Sequence, residues 1–263
     1  MITLKDIDNG KAFDWGRTSE DYSKFRDIYP PEFYEKILSF GLCTKGQTVL
    51  DIGTGTGVIP RNMYQYGAKF IGSDIAENQI LFAKQLSKQA NMDIDYLVSP
   101  AEEINFPDNT FDVATACQCF VYFDKAILLP NLVRMLKPEG RFAILFLNWL
   151  PKECEIANES EKLVLKYNPT WTGANMQRHF IQNTDWANEL FDVEHHTTFD
   201  VNVRFTRDSW NGRIRACRGV GASLPEDKIE EFNKEHMELL EKIAPKSFDI
   251  LHLAEMVVLK VKK

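Results

Sequence analysis

The chain has 263 residues, a net charge of −7 and a hydrophobic fraction of 44%. This length can bury a globular core, and the acidic balance argues against nucleic acid as the main partner, because proteins that grip phosphate backbones are usually basic. Five scattered cysteines, the lack of an apolar leader and the lack of an apolar run of about 18 residues predict a cytoplasmic protein with reduced thiols and no membrane span.

The first forty residues are polar and aromatic, and a helix is predicted over 31–40 because proline is tolerated in a first turn. Strands and helices then alternate as far as residue 149. The predicted strands cover 48–52, 69–73, 94–98, 111–117 and 141–149, and the predicted helices cover 58–66, 76–90 and 125–136. Such alternation predicts a parallel sheet with helices on both faces.

The pattern changes after residue 149. Helices are predicted over 153–167, 184–190, 207–217 and 225–243, with β-prone stretches over 191–205 and 251–261. We expect the last two strands to form an antiparallel edge and the helices before them to cap the sheet. The prediction is one doubly wound α/β domain, with N-terminal covering helices at 1–40, a core at 41–150, a cap at 151–247 and a last strand at 248–263.

The clearest motif is the run Val49 to Gly57, VLDIGTGTG, at the turn from the first predicted strand into a helix. Ligands of open α/β sheets bind at the carboxyl ends of the strands, and glycines there let the backbone approach a ligand. The spacing departs from the dinucleotide fingerprint G-x-G-x-x-G, since Val58 follows the third glycine. Asp51 would also repel a pyrophosphate but suits a ligand with an ammonium and a sulfonium.

Asp74 ends the second predicted strand, seventeen residues after Gly57. A carboxylate at this position can accept two hydrogen bonds from the diol of a ribose. The alternative is that Asp74 only caps the helix that begins at Ala76. The neighbouring glycine loop favours ribose binding.

Residues 20–148 resemble the class I S-adenosylmethionine-dependent methyltransferases. VLDIGTGTG is similar to the first motif of that family, GSDIAENQI to the second, SPAEEINFPDNTFDVATACQCF to the third and fourth, and LKPEGR to the turn before the fifth strand. The resemblance implies a Rossmann-like fold, S-adenosyl-L-methionine as the cofactor, and transfer of its methyl group.

The resemblance also implies where the methionine and ribose parts of the cofactor bind. Gly53, Thr54 and Gly55 would approach the methionine part, and Asp51 would help to hold its amino group. Asp74 would bind the ribose.

The same resemblance implies contacts to the adenine and to the reacting methyl group. Ile75 would pack against the adenine, and Ala101 and Glu102 would flank its amino group largely through their backbone. Gln118, after the fourth strand, would lie beside the sulfonium methyl and the substrate.

The opening segment from Asp21 to Pro30 is similar to that of a subgroup that includes enzymes related to trans-aconitate methyltransferase. Tyr22 and Arg26 are therefore candidates to cover the cofactor and to pair with its carboxylate. Two positions depart from the pattern. Pro100 replaces a frequent aspartate before the Ala-Glu pair, and Val121 replaces the histidine of the subgroup.

Aromatic and basic side chains of the cap are candidates for substrate contacts. Arg213 shares a helical face with Trp210 and Cys217 by spacing, and arginine can clamp an anionic substrate. The alternatives are that the arginines are solvated or paired with acids and that the tryptophans pack in the core. The candidates are Trp149, Trp171, Arg178, His179, Trp210, Arg213, Arg215 and Arg218.

The predicted function is in-line methyl transfer to a small-molecule acceptor, mainly by proximity and orientation, with Gln118 and Arg213 as the catalytic candidates and no metal. No general base is evident in the sequence. The alternative is a non-catalytic S-adenosylmethionine-binding sensor or partner subunit. A nicotinamide-dependent oxidoreductase is disfavoured by the glycine spacing and by Asp51.

Overall fold

The computed structural model describes residues 1–178, 181 and 184–262. The strands within these residues form one sheet in the order β3-β2-β1-β4-β5-β7-β6. Their bounds are β1 Thr48–Ile52, β2 Lys69–Asp74, β3 Asp95–Val98, β4 Phe111–Cys117, β5 Leu136–Trp149, β6 Phe191–Thr206 and β7 Ser247–Val261. The α-helices are α1 Ser19–Phe25, α2 Pro31–Ser39, α3 Val58–Met63, α4 Glu77–Gln89, α5 Lys125–Met135, α6 Glu155–Tyr167, α7 Arg207–Arg215 and α8 Glu226–Ile243.

The central strand β1 pairs in parallel with both β2 and β4. Ile52, at its end, lies opposite Ser73 on β2 and Ala116 on β4, so the three strands end at the same edge of the sheet. The strand order reverses between β1 and β4, and such a reversal opens a crevice beyond the carboxyl ends of the strands. The glycine loop that follows Ile52 lies at this point in the fold.

The predicted fold class is confirmed: a doubly wound, mostly parallel sheet carries an antiparallel edge. The predicted start of the fifth strand was wrong, because β5 begins at Leu136 and not at Arg141. Leu136 pairs with Phe111 and Arg141 pairs with Val113, so two steps along β4 face five steps along β5. The three extra residues bulge out of the ladder, which is how the LKPEGR segment forms its turn inside the strand.

The helix predicted over 184–190 was too long. The structure has only a 3₁₀ turn at Asp185–Ala187. The N–H groups of Asn188 and Leu190 bond three residues back, to Asp185 and Ala187, and no i→i−4 ladder is established before β6 begins.

Contacts divide the chain into two compact units, each built from three stretches. The first unit comprises Met1–Ile28, Asn148–Phe180 and Asp200–Leu253, and the second comprises Tyr29–Leu147, Ile181–Phe199 and Ala254–Lys263. The single-domain division made from the sequence stays a prediction. Within the described residues, no helix has both the length and the apolar character to cross a membrane.

The second unit has a core of strand residues that are buried on both faces of the sheet. Leu50, Ile52, Val113 and Phe142 are each no more than 1% exposed. Since a parallel sheet is covered by helices on both sides, its strands read as continuous apolar runs, and this rigid platform supports the loops at their ends.

Candidate functional site

The loop after β1 needs its glycines for two separate reasons. Gly53, Gly55 and Gly57 have φ values of +64°, +56° and +76°, in the left-handed region that strains other residues. A Cβ on Gly53 would lie 2.7 Å from Sγ of Cys119, and one on Gly57 would collide with the hydroxyl of Tyr96. The loop therefore requires glycine both for its backbone conformation and for its close packing. As a result, three of its residues expose backbone without a side chain.

Asp51 lies beneath this loop and is 2% exposed. Its Oδ2 accepts a 2.6 Å hydrogen bond from the Thr54 hydroxyl, and its Oδ1 accepts a 2.5 Å bond from the Thr115 hydroxyl. Burial raises the pKa of Asp51 to about 6, against the effect of the two hydroxyl bonds, and the charge of Asp74 raises it further. A cation bound nearby would favour the ionised form.

Asp74 organises the same loop from the end of β2. Its Oδ2 accepts the N–H of Gly55 at 2.9 Å, and its Oδ1 accepts the N–H of Ala76 at 2.8 Å. The capping alternative is therefore partly observed, since Ala76 immediately precedes α4. A carboxylate has about four lone-pair sites, so two hydrogen bonds leave capacity for a diol. Ile75 beside it is 48% exposed, as a side chain that packs on a ligand can be.

Glu102 connects the loops that follow β3 and β4. Its Oε1 accepts the backbone N–H of Asp124 at 2.7 Å, while Ala101 is 7% exposed in the 3₁₀ turn Ala101–Glu103. Because the Glu102 carboxylate holds another loop, the backbone of this turn is the part that suits a contact with an adenine, and that contact stays a prediction.

Gln118 follows β4 in a strained conformation. Its φ is +65°, which is uncommon for a residue with a side chain, and its Nε2 donates a 2.6 Å bond to the carbonyl of Leu147. Left-handed residues other than glycine cost about 1–3 kcal/mol and concentrate at functional sites. The backbone N–H of Gln118 also bonds to the carbonyl of Leu145, so β5 holds both the backbone and the side chain of this residue.

These groups of the second unit fit a positively charged nucleoside better than a dinucleotide. Two carboxylates lie at the glycine loop, the buried Asp51 and the half-buried Asp74, and the pKa of each is raised chiefly by desolvation. A pyrophosphate would add negative charge to this place, whereas an ammonium and a sulfonium would offset it. The residues present therefore suit S-adenosylmethionine.

In the first unit, α1 is held tightly against α7. A Cβ on Gly212 would collide with the ring of Phe25, and Arg215 makes a bidentate ion pair with Asp21 at 2.9 and 2.8 Å. Glycine at position 212 thus permits the close approach of the two helices.

Tyr22 and Arg26 come together at the end of α1. The Arg26 guanidinium carbon lies 4.6 Å from the centre of the Tyr22 ring, and its Nη2 is 3.4 Å from the Tyr22 hydroxyl. They belong to the first unit, whereas the glycine loop belongs to the second. Their contact with the cofactor stays a prediction.

Arg213 is buried, with 3% exposure, and is not solvated. Its Nη1 donates to Sγ of Cys217 at 3.1 Å, and its guanidinium lies 4.7 Å from the centre of the Trp149 ring. Trp210 and Cys217 are also buried, at 0% and 5% exposure, but α7 ends at Arg215, so Cys217 lies beyond the helix that the sequence predicted over 207–217.

The other arginines of the cap pair with acids. Arg178 binds Glu153 and Asp200, Arg215 binds Asp21, and Arg218 binds Asp8. Pairing with acids is the alternative to substrate binding for these arginines, and it gives them a structural role.

The tryptophans of the cap pack in the core of the first unit, which is the alternative to a substrate contact. Trp149, Trp171 and Trp210 are each no more than 7% exposed. His179 lies outside the described residues.

Sequence reasoning missed His252, on β7 in the first unit. It is 0% exposed, and its Nδ1 bonds to the Ile250 carbonyl at 2.9 Å. Its neighbours in sequence, Leu251 and Leu253, read as an ordinary buried strand, so no motif marks it. Thr115 was also missed, because its role depends on the pairing of β4 with β1.

Comparisons with known proteins agree with this geometry. Residues 50–144 match the family described as methyltransferase domain. The chain is 31% identical to a ubiquinone biosynthesis O-methyltransferase of Cereibacter sphaeroides, over 70% of this chain and 74% of that protein. It is 27% identical to a protein of the same name from Bartonella bacilliformis, over 63% of this chain and 67% of that protein.

Solved structures show the same fold. The YcgJ protein from Bacillus subtilis superposes with a TM-score of 0.54 at 21% identity, over 88% of this chain and 98% of that one. The glycine loop, the two carboxylates, the strand order and these relatives lead to one conclusion: the chain belongs to the class I S-adenosylmethionine-dependent methyltransferases.

Proposed function

We propose that this enzyme transfers the methyl group to a hydroxyl oxygen of a small-molecule acceptor. The observation that carries the proposal is the glycine loop of the second unit, fixed by Asp51 and Asp74 in a form that suits a cationic nucleoside. The names of the relatives support oxygen as the receiving atom, and the net charge of −7 supports a small acceptor over nucleic acid.

Residues of the second unit would hold the cofactor in this proposal. Asp74 binds the ribose diol, Ile75 packs on the adenine, and the backbones of Ala101 and Glu102 flank its amino group. The backbone at Gly53, Thr54 and Gly55 receives the methionine part. Asp51 acts from beneath the loop, by its charge on the amino group and by its bond to Thr54.

S-adenosylmethionine supplies a methyl group on a positively charged sulfur, which leaves as a neutral thioether. The protein has to align the acceptor oxygen with that methyl group, and near-attack alignment can lower the barrier by about 7–11 kcal/mol. Gln118, fixed by its bond to Leu147, orients the acceptor beside the reacting atoms. Arg213 stabilises negative charge on the acceptor, and Tyr22 and Arg26 remain candidates for the cofactor carboxylate.

The test is product formation. The purified chain is incubated with S-adenosylmethionine and a panel of small hydroxy acids, phenols, amines and thiols, and S-adenosylhomocysteine and methylated products are detected by mass spectrometry. We expect methylation of a hydroxyl compound at a rate that falls at least tenfold in Gln118→Ala.

Exclusive methylation of amines or thiols would contradict oxygen as the acceptor atom. Binding of the cofactor without turnover of any compound would contradict the proposal and favour a sensor or partner subunit.

A further inference from the structure

A row of four residues crosses the sheet of the second unit beneath the glycine loop. Thr115 on β4 lies opposite Asp51 on β1. On the other side of Asp51, Gly72 of β2 and Tyr96 of β3 continue the row. Residues paired across neighbouring strands point to the same face of a sheet, so the side chain of Tyr96 shares its face with the hydrogen bond between Asp51 and Thr115.

Gly72 leaves a gap in this row, and the ring of Tyr96 fills it. A Cβ on Gly72 would lie 2.8 Å from Cδ1 and Cε1 of Tyr96 and 2.9 Å from the hydroxyl oxygen of Thr54. The φ of Gly72 is outside the left-handed region, so its backbone conformation does not require glycine. Close packing is therefore the reason for glycine at position 72, since the ring of Tyr96 occupies the space of a side chain there.

The hydroxyl of Tyr96 reaches the last glycine of the loop. A Cβ on Gly57 would collide with Oη of Tyr96 and would lie 3.0 Å from its Cζ. The same Oη lies 2.9 Å from Oγ of Ser87 on α4, in a buried hydrogen bond. Burial raises the pKa of Tyr96 to about 12, so the hydroxyl is neutral near pH 7 and adds no charge beside Asp51. One side chain thus connects α4 with the glycine loop.

Phe111 is a buried aromatic residue of the same unit that lies away from the loop. It is 0% exposed at the start of β4, at the amino ends of the parallel strands, and its ring packs edge-to-face on Phe106. Tyr96 is 9% exposed and lies in one buried cluster with Ile80 and Ala83 of α4. Both side chains belong to the core, and Tyr96 differs from Phe111 in that it also packs against the loop.

We propose that Tyr96 is a positioning residue for the cofactor, because its ring and hydroxyl hold the loop at 53–57 in the form that receives S-adenosylmethionine. The inference rests on the proposed binding of the cofactor at this loop and deepens it. Three glycines give the loop little packing of its own, so a rigid support beneath it reduces the conformational entropy that is lost on binding. Tyr96 acts through Gly57 and Gly72 and does not itself touch the reacting atoms.

The first test compares Tyr96→Leu with Phe111→Leu, which also replaces a buried aromatic ring by leucine. Calorimetry measures the binding of S-adenosylhomocysteine to the full chain of each variant. We expect Tyr96→Leu to raise the dissociation constant at least tenfold, and Tyr96→Phe, which keeps the ring, to raise it less than threefold. Phe111→Leu should lower the urea midpoint of unfolding but leave the dissociation constant within twofold of the parent value, because a loss of core packing alone does not move the loop.

A second test covers the case in which Tyr96→Leu fails to fold. Gly57→Ala brings a Cβ against Oη of Tyr96, and Tyr96→Phe removes that oxygen, while the strain at φ +76° is the same in both backgrounds and cancels in a double-mutant cycle. We expect Gly57→Ala to lower the urea midpoint by less in the Tyr96→Phe background than in the parent. Gly46→Ala, with strain but no atom within 4 Å of its Cβ, is the matched control and should lower it equally in both backgrounds.

The outcomes separate this inference from the proposed function. An unchanged dissociation constant in Tyr96→Leu, or an equal effect of Gly57→Ala in the two backgrounds, would overturn the role of Tyr96 and leave cofactor binding at the loop standing. An equal loss of affinity in Phe111→Leu would also overturn it, because the loss would then follow from general destabilisation of the core. A parent that binds no S-adenosylhomocysteine would overturn the proposed function as well.

Discussion

The two units differ in how their functional residues are encoded. In the second unit, the residues proposed to bind the cofactor lie at or just after the ends of β1, β2, β3 and β4, so each appears in a short motif beside its strand. In the first unit, the candidates Arg26 and Arg213 come from two distant stretches of chain. The proposed cofactor contacts are thus readable from local sequence, whereas the proposed acceptor contacts depend on tertiary structure.

The two units also differ in which groups bind their carboxylates. In the second unit, the buried Asp51 accepts hydrogen bonds from two hydroxyls, and the half-buried Asp74 accepts two from backbone N–H groups. In the first unit, Asp8 is buried in a direct pair with Arg218. We expect the first arrangement to respond to a charged ligand and the second to stabilise the unit, and this difference can be tested by substitution.

The largest effect is expected from Asp8→Ala. Asp8 and Arg218 are 1% and 8% exposed and pair at 2.7 Å, so the variant leaves a buried guanidinium without its carboxylate. We expect a loss of about 3–5 kcal/mol in the free energy of unfolding, measured with urea.

The control is Asp108→Ala, which removes the more exposed pair with Arg134 and should cost about 1 kcal/mol or less. Equal losses in the two variants would contradict the structural role of Asp8.

Gly53→Ala should have the next largest effect. The residue would be strained at φ +64°, at about 1–2 kcal/mol, and its Cβ would press on Cys119, at about 1–3 kcal/mol. Unfolding in urea should show the summed loss, and calorimetry should show that binding of S-adenosylhomocysteine is lost.

Gly46→Ala separates the two causes. Gly46 has φ +90° but no atom within 4 Å of an added Cβ, so only the strain remains. If both variants lost the same stability, the packing of Cys119 against the loop would be irrelevant.

Asp74→Ala should weaken the binding of S-adenosylhomocysteine by more than tenfold, about 1.4 kcal/mol or more. The variant removes the ribose acceptor and the bond to the Gly55 N–H. Isothermal titration measures the change, with Asp95→Ala at the exposed start of β3 as the control. An unchanged dissociation constant would remove Asp74 from the site.

The smallest effect is a pH dependence from Asp51. Its pKa in the free protein is raised to about 6, so below that pH the carboxyl must lose a proton before it can attract a cation. The affinity for S-adenosylmethionine should fall as pH falls below 6, by up to about tenfold per unit.

The pH dependence that Asp51 gives to the free energy of unfolding has the opposite sign. Because the folded pKa lies above the ordinary value, the contribution of Asp51 is present below about pH 4 and lost as pH rises through 6. Asp51→Asn should therefore unfold at higher urea concentration than the parent at pH 8, and its cofactor affinity should not vary with pH between 5 and 7. A variant that keeps the pH dependence of the parent would assign it to another group.

The alternation of strands and helices predicted the fold because period and turn residues are local properties. They did not reveal the bulge in β5, since the register between Phe111 and Leu136 is set by pairing across the sheet. The extent of the helix at 184–190 was also wrong, because helix propensity does not show that the turn at Asp185 makes only i→i−3 bonds.

The sequence could propose site residues only where they lie in recognisable motifs. Asp51, Gly53 and Asp74 followed from the loop spacing and from the resemblance. Thr115 did not, because its hydrogen bond to Asp51 depends on the pairing of β4 with β1, and no short stretch of sequence contains both residues.

The central claim is that the loop after β1 binds S-adenosylmethionine and not a dinucleotide. Calorimetric titration of the purified chain with S-adenosylhomocysteine, with NAD as the control ligand, tests it most directly. The account predicts micromolar binding of S-adenosylhomocysteine and no heat from NAD. Binding of NAD, or of neither ligand, would contradict it.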